Sequence, residues 1–142
     1  MFGHGDAPES IMLRILAAIE AQYRDNGVTA FYVGNRGSFD RMAAAAVKQV
    51  KQQFPEISLI LVLAYHPGER AVDLSEGFDG SYYPPLENIP KRYAIVRANQ
   101  HMIDTADSVI CYVNHIGNTK KLLEYALRKQ KGSSLIIDNV AG

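Results

Sequence analysis

The stretch Thr29 to Ala45, TAFYVGNRGSFDRMAAA, decides the fold. Thr29 to Val33 is a short β-branched and aromatic run that stops at Gly34, and it reads as a buried strand. Gly34-Asn35-Arg36-Gly37-Ser38 is a glycine turn of the kind that joins a strand to a helix. From Ser38 to Phe54 the chain is alanine-rich, with Met42, Ala45, Val47 and Val50 at helical spacings, and Pro55 ends it. Strand, glycine loop and helix in that order make half of a βαβ unit.

The same alternation continues on both sides. Ser10 to Tyr23 sets Ile11, Leu13, Ile15, Leu16 and Ile19 along a helical stripe, closed by Asn26-Gly27. Ile57 to Ala64 is apolar at nearly every position, as strands covered on both faces are. Ile89 to Thr105 reads as a helix, Ser108 to Val113 as a strand, Asn118 to Lys131 as a helix and Ser134 to Ile137 as a last strand. Alternating strands and helices imply parallel pairing, right-handed crossovers and an open α/β sheet. One unit looks damaged: a strand should precede Gly3-His4-Gly5-Asp6, yet only Met1 and Phe2 remain for it. Either that strand is very short or the true start codon lies upstream. Tyr65 to Asn88, with three of the six prolines and Phe78, Tyr82 and Tyr83, has no periodicity and reads as a lid, a binding loop, an interface or a plain surface excursion.

At 142 residues, 47% hydrophobic and 21% charged, the chain is expected to form a single domain over 1–142. Its 15 Lys+Arg balance 15 Asp+Glu, which argues against a general nucleic-acid binder. A lone cysteine, Cys111, excludes an intramolecular disulfide framework and a cysteine-rich zinc site. No signal peptide and no bilayer-length apolar run is visible, so the expectation is a cytoplasmic protein without a membrane partner.

In an open α/β sheet, ligands bind beyond the carboxyl ends of the strands, where strand order reverses. Three loops are expected at that edge: Gly3-His4-Gly5-Asp6-Ala7-Pro8, Gly34 to Ser38, and His115-Ile116-Gly117-Asn118-Thr119. Each ends at a helix N-terminus, where free N–H groups and the macrodipole favour an anion. Arg36 adds a planar cation suited to phosphate, and Ser38 and Thr119 add hydroxyl donors. Turn chemistry and helix capping explain any one of these loops. Three on one edge point to a ligand.

The candidate ligand-binding residues are therefore Gly3, His4, Gly5, Gly34, Asn35, Arg36, Gly37, Ser38, Asp40, Gly117, Asn118 and Thr119. No Gly-x-Gly-x-x-Gly fingerprint or P-loop occurs. His4, His66, His101 and His115 lack metal-site spacing, so no metal is expected. Cys111 sits in an apolar strand and reads as a small hydrophobe rather than a nucleophile. Arg97 and Asn99, on a largely apolar helix, have three open roles: reaching the crevice, pairing with Asp40 or Asp104, or meeting a second subunit.

Gly34-Asn35-Arg36-Gly37-Ser38-Phe39-Asp40 leading into Met42-Ala43-Ala44 resembles the Gly-x-x-Gly-x-(Phe/Met/Val)-(Asp/Gly)-x-x-Ala signature of the SLOG superfamily. That group includes the LOG cytokinin-activating nucleotide hydrolases and the DNA-uptake protein DprA. The chain is most similar to small bacterial SLOG proteins of unassigned function. Gly3-His4-Gly5-Asp6, Arg97 to Asp107, Ile110 to Tyr125 and Tyr83-Pro84-Pro85-Leu86-Glu87 carry that likeness along nearly the whole chain. The resemblance implies a Rossmann-like three-layer open sheet, mostly parallel, of about five strands with helices on both faces. It also implies a homodimer and a nucleotide or NAD-derived ligand, with Gly34, Arg36, Gly37 and Asp40 on the glycine-rich element and Gly117 and Thr119 on a second phosphate-facing turn.

LOG enzymes and nucleoside deoxyribosyltransferases place a catalytic glutamate three residues after the threonine of that second turn. Here the position is Leu122. Glu124 lies two residues later, a rotation of about 200° around a helix. The first expectation is therefore a sensor or non-catalytic module that binds a nucleotide-type small molecule. The alternative is an N-glycosidic hydrolase or transferase, whose oxocarbenium-like transition state needs a carboxylate from Asp6, Asp40 or Glu69.

Overall fold

Parallel strands need a crossover between them, and helices supply it throughout this chain. The computed structural model describes residues 1–65, 77–86 and 88–142. Its strands are β1 (Phe2–Gly3), β2 (Ala30–Val33), β3 (Ser58–Val62), β4 (Gly80–Tyr82), β5 (Ser108–Tyr112) and β6 (Ile136–Asn139). Its helices are α1 (Met12–Asn26), α2 (Ser38–Gln53), α3 (Ala94–Thr105) and α4 (Asn118–Gln130), with 3₁₀ turns at Glu9–Ile11 and Lys91–Tyr93. Among the described residues, no helix is long and apolar enough to cross a membrane.

All strand pairs are parallel, in two runs of three ordered β1-β5-β6 and β2-β3-β4. The runs meet at β1 and β2, where the Met1 amino group donates to the Tyr32 carbonyl at 2.9 Å. Against an expectation of about five strands, the described residues hold six. The added one, β4, emerges from the long loop that showed no periodicity. It is fixed from outside itself: Asp79 N–H donates to Leu59 O at 2.8 Å, and Asp79 Oδ2 accepts from Leu59 N–H at 2.8 Å. The last strand also starts later than Ser134, because the ladder pairs Ile136 with Ser108.

Two apolar interiors flank the strands. On one face Ile15 and Ile19 of α1 and Phe39, Met42 and Val47 of α2 pack with Phe31, Leu59 and Ile110. On the other, Leu122 and Ala126 of α4 and Ile103 of α3 pack with Phe2, Val109 and Cys111. This is the three-layer α/β arrangement. Alternate residues of β5 feed both interiors, as the period of two requires. Leu13 departs from its expected stripe: it is 77% exposed, because the face centred on Ile11, Ile15 and Ile19 is the one that packs. Of the long Tyr65–Asn88 segment, residues 66–76 and 87, Glu69 among them, lie outside the described residues.

Candidate ligand-binding site

β1, β2 and β5 end at one edge, and the loops that follow them meet there. The first two loops touch backbone to backbone: a Cβ on Gly37 would stand 2.6 Å from Gly5 Cα. Ser38 locks the contact, its N–H donating to Gly5 O at 3.0 Å and its hydroxyl to Ala7 O at 2.6 Å. Only glycine at position 37 lets the chains come so close.

The first and third loops are clasped by His4, which is 3% exposed. His4 Nε2 accepts from the backbone N–H groups of Asn114 at 3.1 Å and His115 at 3.3 Å. An imidazole nitrogen that accepts carries no proton, so His4 is neutral with its proton on Nδ1. Burial lowers its pKa, and the neighbouring His115 lowers it further. The two rings stack with centroids 3.5 Å apart.

His115 has the opposite character. Its Nδ1 lies 3.2 Å from Ile116 O and its Nε2 3.3 Å from Asp6 Oδ1. Both partners are acceptors, which calls for a proton on each nitrogen. The Ile116 carbonyl first, and then Asp6, raise the His115 pKa, while the His115 hydrogen bond lowers that of Asp6. His4, Asp6 and His115 each bring one donor atom within 4.8 Å of the others. Spacing along the chain hides that cluster, since its members meet only across the sheet edge. With two backbone donors on His4 Nε2, the geometry serves loop attachment.

Beside this clasp lies a crevice of about 350 Å³. Of the residues singled out from sequence, Gly3, Gly5, Gly34, Asn35, Arg36, Gly37, Asp40, Asn118 and Thr119 line it. His4, Ser38 and Gly117 lie outside the lining and hold the loops or begin a helix. Neither α2 nor α4 has a side-chain N-cap, since glycines 37 and 117 occupy the cap positions. One first-turn amide of α2 is already given to Gly5. The first turn of α4, carrying Asn118 and Thr119, faces the crevice.

Sequence reasoning missed Arg92 in this lining, and it left Asn99 open among three roles; both border the crevice. No periodic or motif signal marks Arg92, which precedes α3 in a 3₁₀ turn. Arg97 instead reaches Gln100 Oε1 at 3.2 Å and Asp104 Oδ2 at 3.8 Å. Arg36 lies over the Tyr65 ring with its guanidinium carbon 5.2 Å from the centroid.

Two carboxylates near the edge differ sharply. Asp6 is exposed and engaged by His115. Asp40 is half-buried, with Oδ2 accepting from Arg36 N–H at 2.9 Å, and desolvation raises its pKa despite that hydrogen bond. Leu122 is 7% exposed and lines the crevice, whereas Glu124 is exposed and does not border it. Cys111 is fully buried and desolvation pushes its thiol up to about 12, the behaviour of a core hydrophobe. Neither family models nor curated protein sequences match this chain.

Proposed function

We propose that the chain binds a nucleotide or nucleotide-derived ligand in the crevice at the carboxyl edge of the sheet, as a sensor or non-catalytic module. The observation that carries this reading is the convergence of Arg36, Arg92 and the first turn of α4 on one crevice. Two guanidinium groups and a helix N-terminus suit a phosphate. Asp40 and Asn99 on the same walls suit sugar hydroxyls, and Ile95 and Val96 give an apolar side for a base. The SLOG resemblance and the homodimer it implies belong to the same proposal. Leu122 favours binding over catalysis, since no carboxylate follows Thr119 at the distance LOG-like chemistry uses.

A thermal-shift screen against nucleotides, NAD-type dinucleotides and ribose phosphates tests the proposal. At a hundred times Kd, a single-site ligand stabilises the fold by about 2.7 kcal/mol, a shift of several degrees. The shift is expected to vanish in Arg36→Ala. No response from the whole panel would sink the reading.

One observation favours a second reading, N-glycosidic hydrolysis or transfer. Asp40 is a half-buried carboxyl with a pKa raised by desolvation in the crevice wall, and such a group can hold a proton for a leaving base. That reading requires release of free base from a ligand found in the screen, abolished in Asp40→Asn.

A further inference from the structure

Among the described residues that line the crevice, Asp40 is the one acid, set against two cations, Arg36 and Arg92. The helix that carries it fixes its place. Phe39 is fully buried and sets the rotation of α2, and Asp40 follows it in the first turn. From there the side chain turns back over the glycine loop. Its Oδ2 accepts from Arg36 N–H at 2.9 Å, and a Cβ on Gly34 would stand 2.9 Å from that same oxygen. A bare backbone at position 34 lets the carboxylate settle against the strand end.

That carboxylate has no counter-ion on it. Among the described residues no basic side chain forms an ion pair with Asp40, and Oδ1 takes part in no hydrogen bond. The Arg36 guanidinium lies instead over the Tyr65 ring, its carbon 5.2 Å from the centroid. An acid in the first turn complements the α2 dipole, which accounts for the bond to Arg36 but not for an oxygen left over in a crevice wall. An ionised carboxylate only accepts hydrogen bonds. Half-buried, it has lost part of its hydration, and desolvation raises its pKa accordingly. A ligand hydroxyl on Oδ1 restores a donor that burial removed. A phosphate in that position brings a second negative charge and no obligatory donor.

We propose that Asp40 reads the sugar of the ligand, accepting a free hydroxyl and refusing a phosphate on the same carbon, while the ligand's own phosphate lies with Arg36, Arg92 and the first turn of α4. The inference deepens the nucleotide reading and rests on it. It narrows the ligand class to sugar phosphates and nucleotides whose ribose diol is unmodified, and it sets the site against relatives phosphorylated at the 2′ or 3′ oxygen. Asn99, in the same lining, supplies an amide for the second hydroxyl. The opposite signs of Asp40 and the two arginines also fix which way round the ligand enters.

Titration calorimetry on the full chain tests this with matched probes. Adenosine 5′-monophosphate and NAD keep the diol; 2′,3′-dideoxyadenosine 5′-monophosphate lacks it; the adenosine 2′,5′- and 3′,5′-bisphosphates and NADP carry a phosphate on it. The unsubstituted chain is expected to prefer the diol probes by about tenfold or more, the scale of one hydrogen bond to a charged group. Asp40→Asn keeps the volume and an acceptor for Arg36 N–H but removes the charge, and the preference over the phosphorylated probes is expected to fall below about threefold. Arg36→Ala is expected to weaken every probe and leave the preference as it was. The ratio is the readout, since a fold defect lowers all probes alike. An unchanged ratio in Asp40→Asn, or no preference in the unsubstituted chain, overturns the inference and leaves the nucleotide reading standing. Silence from every probe in all three proteins sinks both.

Discussion

Replacing His4 by phenylalanine keeps the volume and the stack on His115 but deletes the acceptor that holds two backbone N–H groups. Those groups, on Asn114 and His115, lie 3.1 and 3.3 Å from His4 Nε2. A buried donor left without a partner costs about 1–3 kcal/mol. Partial access of water at the loop lowers the sum, so the expected loss is about 2–4 kcal/mol. For a domain of this size that is a fall in Tm of about 7–14 °C. Urea denaturation at pH 8, where His4 is neutral in both states, measures it with an unchanged m-value. The pH dependence supplies a second check. The folded pKa of His4 lies below its ordinary value, so the unfolded chain binds the extra proton. Its contribution to stability is therefore lost as pH falls below about 6.5, and the substituted protein lacks that loss. A change under about 0.5 kcal/mol, or an undiminished acid dependence, would refute the clasp.

The loop contacts make a paired prediction. Gly37→Ala drives a Cβ into the Gly5 backbone and should cost about 1–3 kcal/mol and weaken ligand binding. Gly117→Ala meets no atom within 4 Å but strains a φ of 153°, so calorimetry should show a loss in stability without the shared effect on the first loop. Asp40→Asn should leave stability at neutral pH unchanged or higher, since a carboxyl whose folded pKa is raised opposes folding above its ordinary value. An NMR titration should place His115 above and His4 below the ordinary histidine value, with Asp6→Asn lowering His115. Cys111 should resist iodoacetamide at pH 8 until urea unfolds the chain, a result that labelling of the native protein would contradict.

Elements with their own periodicity were legible. The Ser38–Phe54 reading ends one residue from the observed α2, and β2 and β5 fall within a residue of their expected bounds. What failed is what partners decide. Gly80-Ser81-Tyr82 carries no strand pattern, and it becomes one through its ladder to Ile60–Val62 and the Asp79 clamp. The final strand moved because its neighbour set the register. At the site, glycine loops mark backbone proximity in advance, so Gly5 and Gly37 could be found. The His4 clasp joins atoms 110 residues apart, and nothing in the spacing of four histidines announces it. Arg92 enters the crevice only through the packing of the segment ahead of α3.

β5 has a mechanical consequence beyond the site. Its residues go alternately to the two interiors, Ile110 and Tyr112 to one, Val109 and Cys111 to the other. Sliding it by one position would send every side chain to the wrong room. Neither helical layer can loosen while the other keeps its wall, because the wall is common property. Heat should thus dissolve both layers in a single step, with amides of α2 and α4 reporting the same opening energy.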